Sequence, residues 1–385
     1  MKYISKLKLL LTPHLLYKKI IERRGIIYNI YKTNYKKNVL ISYIIHPFLY
    51  KNLYIHTNAQ EALTIADVFN TLGFNIDICQ FTLASNLNYK KYNCIFGFGT
   101  PLTNSFYQNT SAIKIYYGTG MHIDYQNNST ISRIKEVYKK KGVFLPESGR
   151  IVPYTYLEQT SLTDAMILLG NDTIVDTYRK YYDGPIFTQH ASYFENILLK
   201  DALNKNWAQS QKNFLWFGSS GAIHKGLDLL LDVFPSFPEY HLHICGLNPQ
   251  EQNFFQAYRT ELNAQNIHNY GFINTQSSIY KNLINKCAYV ILPSCSEGQA
   301  TSVLSVMCNG LIPVITECCG IDMQDFTFKI HALNSNGIIS AIDNLKKLAP
   351  NECANLASKC LNFTRQRHSI QSYKQELMQN LSKIL

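Results

Sequence analysis

The sequence lacks the long apolar run that a membrane span requires. No stretch approaches the roughly 20 apolar residues needed to cross a bilayer, although hydrophobic residues make up 46% of the 385 residues. The apolar run 9–16 is interrupted by Pro13 and His14, is followed by Lys18 and Lys19, and lacks the small-residue cleavage site of a secretory signal. We therefore expect a cytoplasmic protein.

The sequence also lacks paired cysteine motifs. Its ten Cys are scattered without a C-x-x-C pair, and only Cys318 and Cys319 are adjacent. This pattern favours the reduced thiols of a cytosolic protein over a disulfide framework or a zinc site. We expect the adjacent pair to pack in a core rather than to be redox-active.

Acidic residues are scarce at the N-terminal end. Residues 1–37 contain ten Lys and Arg and one acid, Glu22, so they carry +9 of the net charge of +11. Because the other 348 residues carry only +2, we expect no nucleic-acid partner. A basic arm rich in Leu, Ile and Tyr is typical of a segment that lies on an anionic membrane face. The alternative is a helical arm that packs against its own domain with its lysines in water.

Strand-like runs alternate with helix-like segments in two successive series. The first series has strands at 38–44, 75–81, 94–98, 113–117 and 165–169 and helices at 59–72 and 129–141. The second has strands at 213–217, 241–245, 267–272, 289–292 and 312–316 and helices at 226–233, 249–262, 277–286 and 301–309. This alternation predicts an α/β chain of two facing Rossmann-like domains, with a ligand cleft at the carboxyl ends of the strands.

The domain boundaries follow from composition. Residues 1–37 form the basic arm, and the polar segment 201–212 is a linker. The linker separates an N-terminal domain over 38–200 from a C-terminal domain over 213–364. We expect residues 365–385 to end in an amphipathic helix that is able to pack back on the N-terminal domain.

A small-residue loop, PSCSEGQATS, follows the predicted strand 289–292. Gly298 in this loop allows the backbone to approach a ligand closely, and Glu297 stands where it can hold a sugar hydroxyl. The free N–H groups of the helix that begins near Thr301, with the hydroxyls of Thr301 and Ser302, offer an anion cradle for a diphosphate.

A second loop, FGSSGAIHKG, follows the predicted strand 213–217 and ends in Lys225 at the start of a helix. A helix N-terminus is positive, so a lysine there is unfavourable unless an anion binds nearby. Such a lysine can neutralise a leaving diphosphate. The spacing is not that of a P-loop, because G-x-x-x-x-G-K-[ST] is absent.

These segments resemble the donor domain of retaining GT-B glycosyltransferases, the family called glycosyltransferase group 1 (family 4-like). The resemblance is strong over residues 213–320 and looser over 38–200. It rests on Gly218, Lys225, Gly226, Pro293, Glu297, Gly298 and the run Gly310–Ile315, and in the N-terminal half on Tyr117–His122 and Leu168–Asn171.

The resemblance implies a hexosyltransferase-like enzyme of class EC 2.4 with the GT-B fold. It would transfer a sugar from a UDP- or GDP-sugar to a saccharide or lipid-linked glycan acceptor, with retention. The implied setting is bacterial surface-glycan biosynthesis, lipopolysaccharide- or capsule-like, at the inner face of the cell membrane. No D-x-D motif occurs, which disfavours the metal-bound diphosphate of the GT-A kind, so we expect neither a metal nor a cofactor to be required.

The resemblance also implies roles for particular residues. Glu297, His122 and Lys225 would be catalytic, and His122 resembles the N-domain histidine that contacts the transferred sugar. A structural role is the alternative for this histidine. The donor would contact Gly218, Ser219, Lys225, Glu297, Gly298, Gln299, Ala300, Thr301, Ser302 and Ser305.

Three positions depart from the family pattern. Ser305 stands where a second Glu would contact the donor ribose, and Ser219 and Ser220 replace the Arg that partners the Lys. Residues 44–48 replace the Gly-rich loop after the first strand. We interpret these changes as marks of a divergent subfamily. The alternatives are a nucleotide-sugar epimerase or phosphorylase of the same architecture, or a non-catalytic nucleotide-sugar-binding protein.

Overall fold

The computed structural model describes residues 20, 23–50, 56–84, 86–108, 111–194 and 198–385. Most of the basic arm lies outside these residues, and so does the prediction that the arm contacts a membrane. Within the described part of the chain, no helix is long and apolar enough to cross a bilayer.

The first domain is built on a sheet that has seven strands in the described part of the chain. The order is β1-β3-β2-β4-β5-β6-β7, and β1 alone of these strands runs antiparallel to its neighbour. The strands are β1 Ile26–Ile27, β2 Lys37–Tyr43, β3 Phe74–Gln80, β4 Cys94–Gly97, β5 Ile113–Gly118, β6 Ala165–Leu169 and β7 Ile186–Gln189. The helices are α1 His46–Leu49, α2 Thr57–Thr71, α3 Thr100–Gln108, α4 Ile123–Lys141, α5 Gln159–Leu162 and α6 Asp172–Arg179.

The second domain has a six-stranded parallel sheet, which lies within the described range 198–385. Its order is β10-β9-β8-β11-β12-β13. The strands are β8 Asn213–Phe217, β9 His241–Cys245, β10 Ile267–Asn269, β11 Tyr289–Leu292, β12 Ile312–Ile315 and β13 Phe328–Lys329. The helices are α7 Trp207–Ser210, α8 Leu227–Val233, α9 Gln252–Ala257, α10 Arg259–Leu262, α11 Ser278–Lys286, α12 Thr301–Met307, α13 Ser335–Leu345, α14 Pro350–Arg367 and α15 Ile370–Ile384.

The predicted fold class is confirmed, because both sheets are Rossmann-like. In the second sheet the strand order reverses between β8 and β11, and in the first it reverses between β2 and β4. Ligands of open α/β sheets bind outside the carboxyl ends of the strands at such a switch point. The predicted helix 249–262 is instead two helices, α9 and α10, because the backbone leaves the helical region at Tyr258.

Contacts of two helices join the two halves of the chain. The terminal helix α15 packs against α2 of the first domain, and its Tyr373 hydroxyl lies 2.9 Å from the hydroxyl of Tyr117 on β5. Helix α4 of the first domain reaches the second domain, where Arg133 pairs with Asp228 of α8. These contacts hold the two sheets around a shared cleft.

Candidate functional site

Two loops of the second domain meet at its switch point. The first, residues 218–226, follows β8, and the second, residues 293–300, follows β11. Gly226 has φ +67°, and a Cβ atom there would lie 2.2 Å from the carbonyl oxygen of Pro293. Only glycine accepts that backbone conformation and lets the loops approach so closely.

The first loop is held by the carboxylate of Glu251. One carboxylate oxygen accepts a hydrogen bond from the Gly221 N–H at 2.8 Å, and the other accepts one from the Ala222 N–H at 3.0 Å. Hydrogen bonds from backbone N–H groups to an ionised carboxylate are among the stronger ones in proteins. Glu251 therefore fixes the loop that carries Lys225.

The two loops bring Lys225 and Glu297 into a buried ion pair. Lys225 Nζ lies 2.5 Å from Glu297 Oε1, and the two side chains are only 6% and 10% exposed. Ser294 Oγ donates a further hydrogen bond to the same oxygen at 3.1 Å. Burial alone would raise the pKa of Glu297, but the charges of Lys225 and Arg150 outweigh it and lower that pKa to about 2. Glu297 is therefore ionised at neutral pH.

A second cation at this carboxylate comes from the first domain. Arg150 Nη1 lies 3.5 Å from Glu297 Oε2, and the Arg150 side chain passes over Gly221, where a Cβ atom would lie 2.8 Å from Arg150 Cγ. Arg150 was not predicted, because no local sequence pattern connects it with the loop 218–226, about 70 residues further along the chain. It supplies a guanidinium near Lys225, where Ser219 and Ser220 replace the Arg of the family pattern.

Two cavities adjoin the ion pair. The central cavity, of about 300 Å³, lies between the domains and is lined by Lys225, Glu297 and Arg150. The side cavity, of about 220 Å³, lies beside the central one and is lined mostly by the second domain, including Phe217 and Phe272. The two share His56, Thr57, Ser219, Thr301 and Ser302, so they form one continuous cleft.

The residues predicted to bind the donor all line one of these two cavities. The central cavity contains Ser219, Lys225, Glu297, Gly298, Gln299, Ala300, Thr301 and Ser302. The side cavity adds Gly218 and Ser305. Gln299 also holds the loop in place, since its side chain accepts a hydrogen bond from the Ala191 N–H at 2.6 Å and donates one to the Gly320 carbonyl at 2.9 Å.

His122 is not part of this group. Its ring is fully buried and stacks on Tyr181 with centroids 3.9 Å apart. Nδ1 accepts a hydrogen bond from the Asp124 N–H at 3.3 Å and so caps α4, while Nε2 lies 3.0 Å from Thr160 Oγ1. Burial lowers the pKa of His122 to about 4. His122 lines neither of the two cavities, and its catalytic role stays a prediction.

Two further side chains of the first domain complete the central cavity, and neither was predicted. Tyr43 comes from the end of β2, and Glu61 comes from the second turn of α2. The helical pattern places the neighbours of Glu61 in the core. That pattern alone does not distinguish a carboxylate facing a cleft from one facing solvent.

Comparisons with known proteins support this description. Residues 200–324 match the family model described as "Glycosyl transferases group 1". No curated protein sequence matches the chain.

Solved structures share the fold over most of the chain. Sucrose-phosphate synthase from Thermosynechococcus elongatus aligns with a TM-score of 0.63 at 10% identity, covering 90% of this chain and 99% of that one. HepE from Anabaena in complex with UDP-glucose aligns with a TM-score of 0.60 at 13% identity, with the same coverage. WaaG, described as a glycosyltransferase involved in lipopolysaccharide biosynthesis, aligns with a TM-score of 0.54 at 13% identity, covering 90% and 99%. The predicted GT-B arrangement is confirmed, whereas retention stays a prediction.

Proposed function

We propose that this protein is a glycosyltransferase that moves a sugar from a nucleotide-sugar donor to a saccharide or lipid-linked acceptor. The observation that carries the proposal is the buried ion pair of Lys225 and Glu297 at the switch point of the second sheet, beside a cavity that both domains line. The family model that matches residues 200–324 covers this part of the chain.

The cleft offers distinct surroundings for the two ends of a nucleotide sugar. Phe217 and Phe272 give the side cavity aromatic walls suited to a nucleoside. The central cavity presents Lys225 and Arg150, which suit a diphosphate. Helix α12 begins between the two cavities at Thr301 and has no side-chain N-cap, so its first N–H groups add to this positive surface.

The same groups suit the chemistry of transfer. The ionised Glu297 accepts hydrogen bonds from hydroxyls of the donor sugar and holds that sugar at the mouth of the central cavity. Lys225 and Arg150 stabilise the negative charge that develops on the leaving diphosphate. In the retaining mechanism that we propose, that diphosphate takes the proton of the acceptor hydroxyl, and the protein contributes positioning and charge.

The test is donor turnover by the full chain. Purified protein is incubated with a panel of UDP-, GDP- and ADP-sugars, with and without glycan acceptors, and the release of nucleoside diphosphate is measured. We expect release that depends on the acceptor, from a UDP- or GDP-sugar. A protein that consumes no donor under any of these conditions would contradict the proposal.

A second candidate is a non-catalytic nucleotide-sugar-binding protein. It is favoured by Ser305 and Ser219, which replace an acid and a cation of the family pattern. Donor binding measured by calorimetry, without any turnover in the same panel, would support this candidate. Conversion of the donor sugar without an acceptor would instead support an epimerase.

We further propose that the reaction belongs to bacterial surface-glycan assembly at the cytoplasmic face of the membrane. The support is the basic arm 1–37 and the shared fold with WaaG. The test is deletion of residues 1–22, which spares β1 and its pairing with β3. We expect the shortened protein to move from the membrane fraction to the soluble fraction. An unchanged partition would instead support the alternative that the arm packs against its own domain.

A further inference from the structure

The carboxylate of Glu61 is buried at the central cavity, and one of its two oxygens has no hydrogen-bond partner among the described residues. The residue is only 2% exposed, and Oε2 accepts a hydrogen bond from the Tyr43 hydroxyl at 3.3 Å. Oε1 has no hydrogen-bond partner among the described residues. A buried carboxylate oxygen without a partner is costly and therefore points to a ligand.

Among the described residues no polar group bonds to Oε1 of Glu61, and the residue lines the central cavity. The hydroxyls of Tyr117 and Tyr373 approach the carboxylate, but they are bonded to each other at 2.9 Å. The same cavity is also lined by Lys225, Arg150, Glu297 and His56. Burial raises the pKa of Glu61 to about 7, and the hydrogen bond from Tyr43 opposes this rise.

An aromatic surface lies beside this carboxylate. The rings of Phe81 and Phe98 are 5.1 Å apart, and Phe98 meets Tyr43 edge to face at 5.7 Å. Phe81 and Phe98 line both the central cavity and an outer cavity of about 370 Å³, which extends between them and Ile151. Aromatic rings supply apolar surface against which the C–H face of a sugar ring can pack.

We propose that Glu61 binds the acceptor by accepting a hydrogen bond from a hydroxyl of its sugar ring, whose apolar face lies on Phe81 and Phe98. This inference rests on the proposed function and names the acceptor as a saccharide. A carboxylate repels a diphosphate, so the ligand of Glu61 is a neutral hydroxylated group. In the proposed function Glu297 of the second domain holds the donor sugar. Glu61 belongs to the first domain, so we assign the hydroxyl that donates to Glu61 to the acceptor.

The experiment compares the wild-type protein with Glu61→Gln, which keeps the shape of the side chain but removes its charge. Steady-state kinetics with a nucleotide sugar and a glycan acceptor give a separate KM for each substrate. We expect the acceptor KM to rise roughly 5- to 10-fold, because the amide oxygen of Gln accepts a weaker hydrogen bond than an ionised carboxylate does. The donor KM should not rise, because the loss of a negative charge from the central cavity does not weaken the binding of a diphosphate.

A pH series adds a readout that a merely structural role would not change. The ionised carboxylate is a stronger hydrogen-bond acceptor than the protonated acid or the amide of Gln, so the advantage of wild type over Glu61→Gln in kcat/KM for the acceptor should grow as pH rises through about 7. Glu239→Gln is the control, because Glu239 is exposed and lines none of the three cavities. Phe81→Leu provides a second variant with the same expected rise in acceptor KM, should Glu61→Gln fail to fold.

The outcomes separate this inference from the proposed function. An unchanged acceptor KM and pH series in folded Glu61→Gln would overturn the inference and leave the proposed function standing. A rise in donor KM alone would also overturn it, because the carboxylate would then bind the donor sugar. A wild-type protein that consumes no donor would overturn the proposed function itself, and this inference with it.

Discussion

The guanidinium of Arg150 lies 3.5 Å from one carboxylate oxygen of Glu297, while Lys225 holds the other oxygen at 2.5 Å. The two cations come from different domains and meet at one acid. A donor diphosphate in the central cavity would therefore be neutralised from both sides of the cleft. Arg150 would then supply the positive charge that Ser219 lacks.

We predict that Arg150→Ala lowers kcat/KM for the nucleotide sugar roughly 10- to 100-fold, because the diphosphate loses a charge-assisted contact. Arg150→Lys keeps the charge but not the planar fork, so it should recover only part of the activity. Arg259→Ala is the control, since Arg259 is exposed on the second domain and lines none of the three cavities. Equal activity in wild type and Arg150→Ala would contradict this role.

The ion pair of Arg133 and Asp228 joins the domains and is buried, with side chains 5% and 2% exposed. Removing Arg133 leaves the Asp228 carboxylate buried without its charge partner, so we expect Arg133→Met to cost about 3–5 kcal/mol in the free energy of unfolding. The double variant with Asp228→Asn should be more stable than this single variant, because it leaves no unpaired charge. Denaturant unfolding of both singles and the double measures this, and strictly additive losses would contradict the pairing.

His190 connects the end of β7 to two other parts of the chain. Nδ1 lies 2.9 Å from Glu376 of α15, and Nε2 lies 3.3 Å from Asp322. Burial alone would lower the pKa of His190, but the hydrogen bonds to Asp322 and Glu376 outweigh it and raise that pKa to about 9.

A raised folded-state pKa gives stability that is complete below pH 6.5 and is lost as pH rises through about 9. For His190 we expect a loss of roughly 3 kcal/mol over this window. Unfolding measured at a series of pH values should show this loss in wild type, and His190→Gln should flatten the curve. Parallel curves for the two proteins would refute the assignment.

Two roles are considered for His122, capping of α4 and contact with the transferred sugar. They predict different results for the variants His122→Asn and His122→Ala. Asn is a good N-cap, so His122→Asn should keep kcat within a few-fold if the residue caps α4, as its contacts indicate. His122→Ala should lose at least about 1 kcal/mol of stability. If His122 contacts the transferred sugar, both variants should lose turnover, and donor turnover together with thermal unfolding decides between the roles.

Residues close in sequence were the predictable part of the site. Lys225 and Glu297 each lie in a loop that follows a buried strand and contains a glycine at a close backbone contact, Gly226 or Gly298. The strand, the glycine and the charged residue are all recognisable from the local sequence. Arg150 and Glu61 were missed because tertiary packing alone brings them to the cleft. The side chain of His122 was not placed correctly because the end of a strand predicts the position of the backbone but not the direction of the side chain. Here that direction is fixed by capping of α4 and by stacking on Tyr181.

Strands were predicted well for the same reason, since buried parallel strands are continuous apolar runs such as 289–292. The edge strands β1, β7 and β13 were missed, because β1 and β13 have only two residues each and β7 has only four, too few to give a clear pattern. Helix α14 was missed as well. Its buried residues Cys353, Ala357, Cys360 and Thr364 recur at helical spacing, but they are small or polar and give only a weak apolar pattern.

The most direct test of the donor site compares two Lys–Glu pairs of the second domain in one assay. Lys225→Met and Glu297→Gln remove the buried pair in the cleft, whereas Lys329→Met and Glu317→Gln remove an ion pair that is 34% and 51% exposed and lines none of the three cavities.

Release of nucleoside diphosphate from the preferred donor is measured for all four variants, with folding checked by thermal unfolding. We predict a loss of at least about 100-fold in each of the first two variants and wild-type rates in the other two. Full activity in folded Lys225→Met and Glu297→Gln would contradict the account.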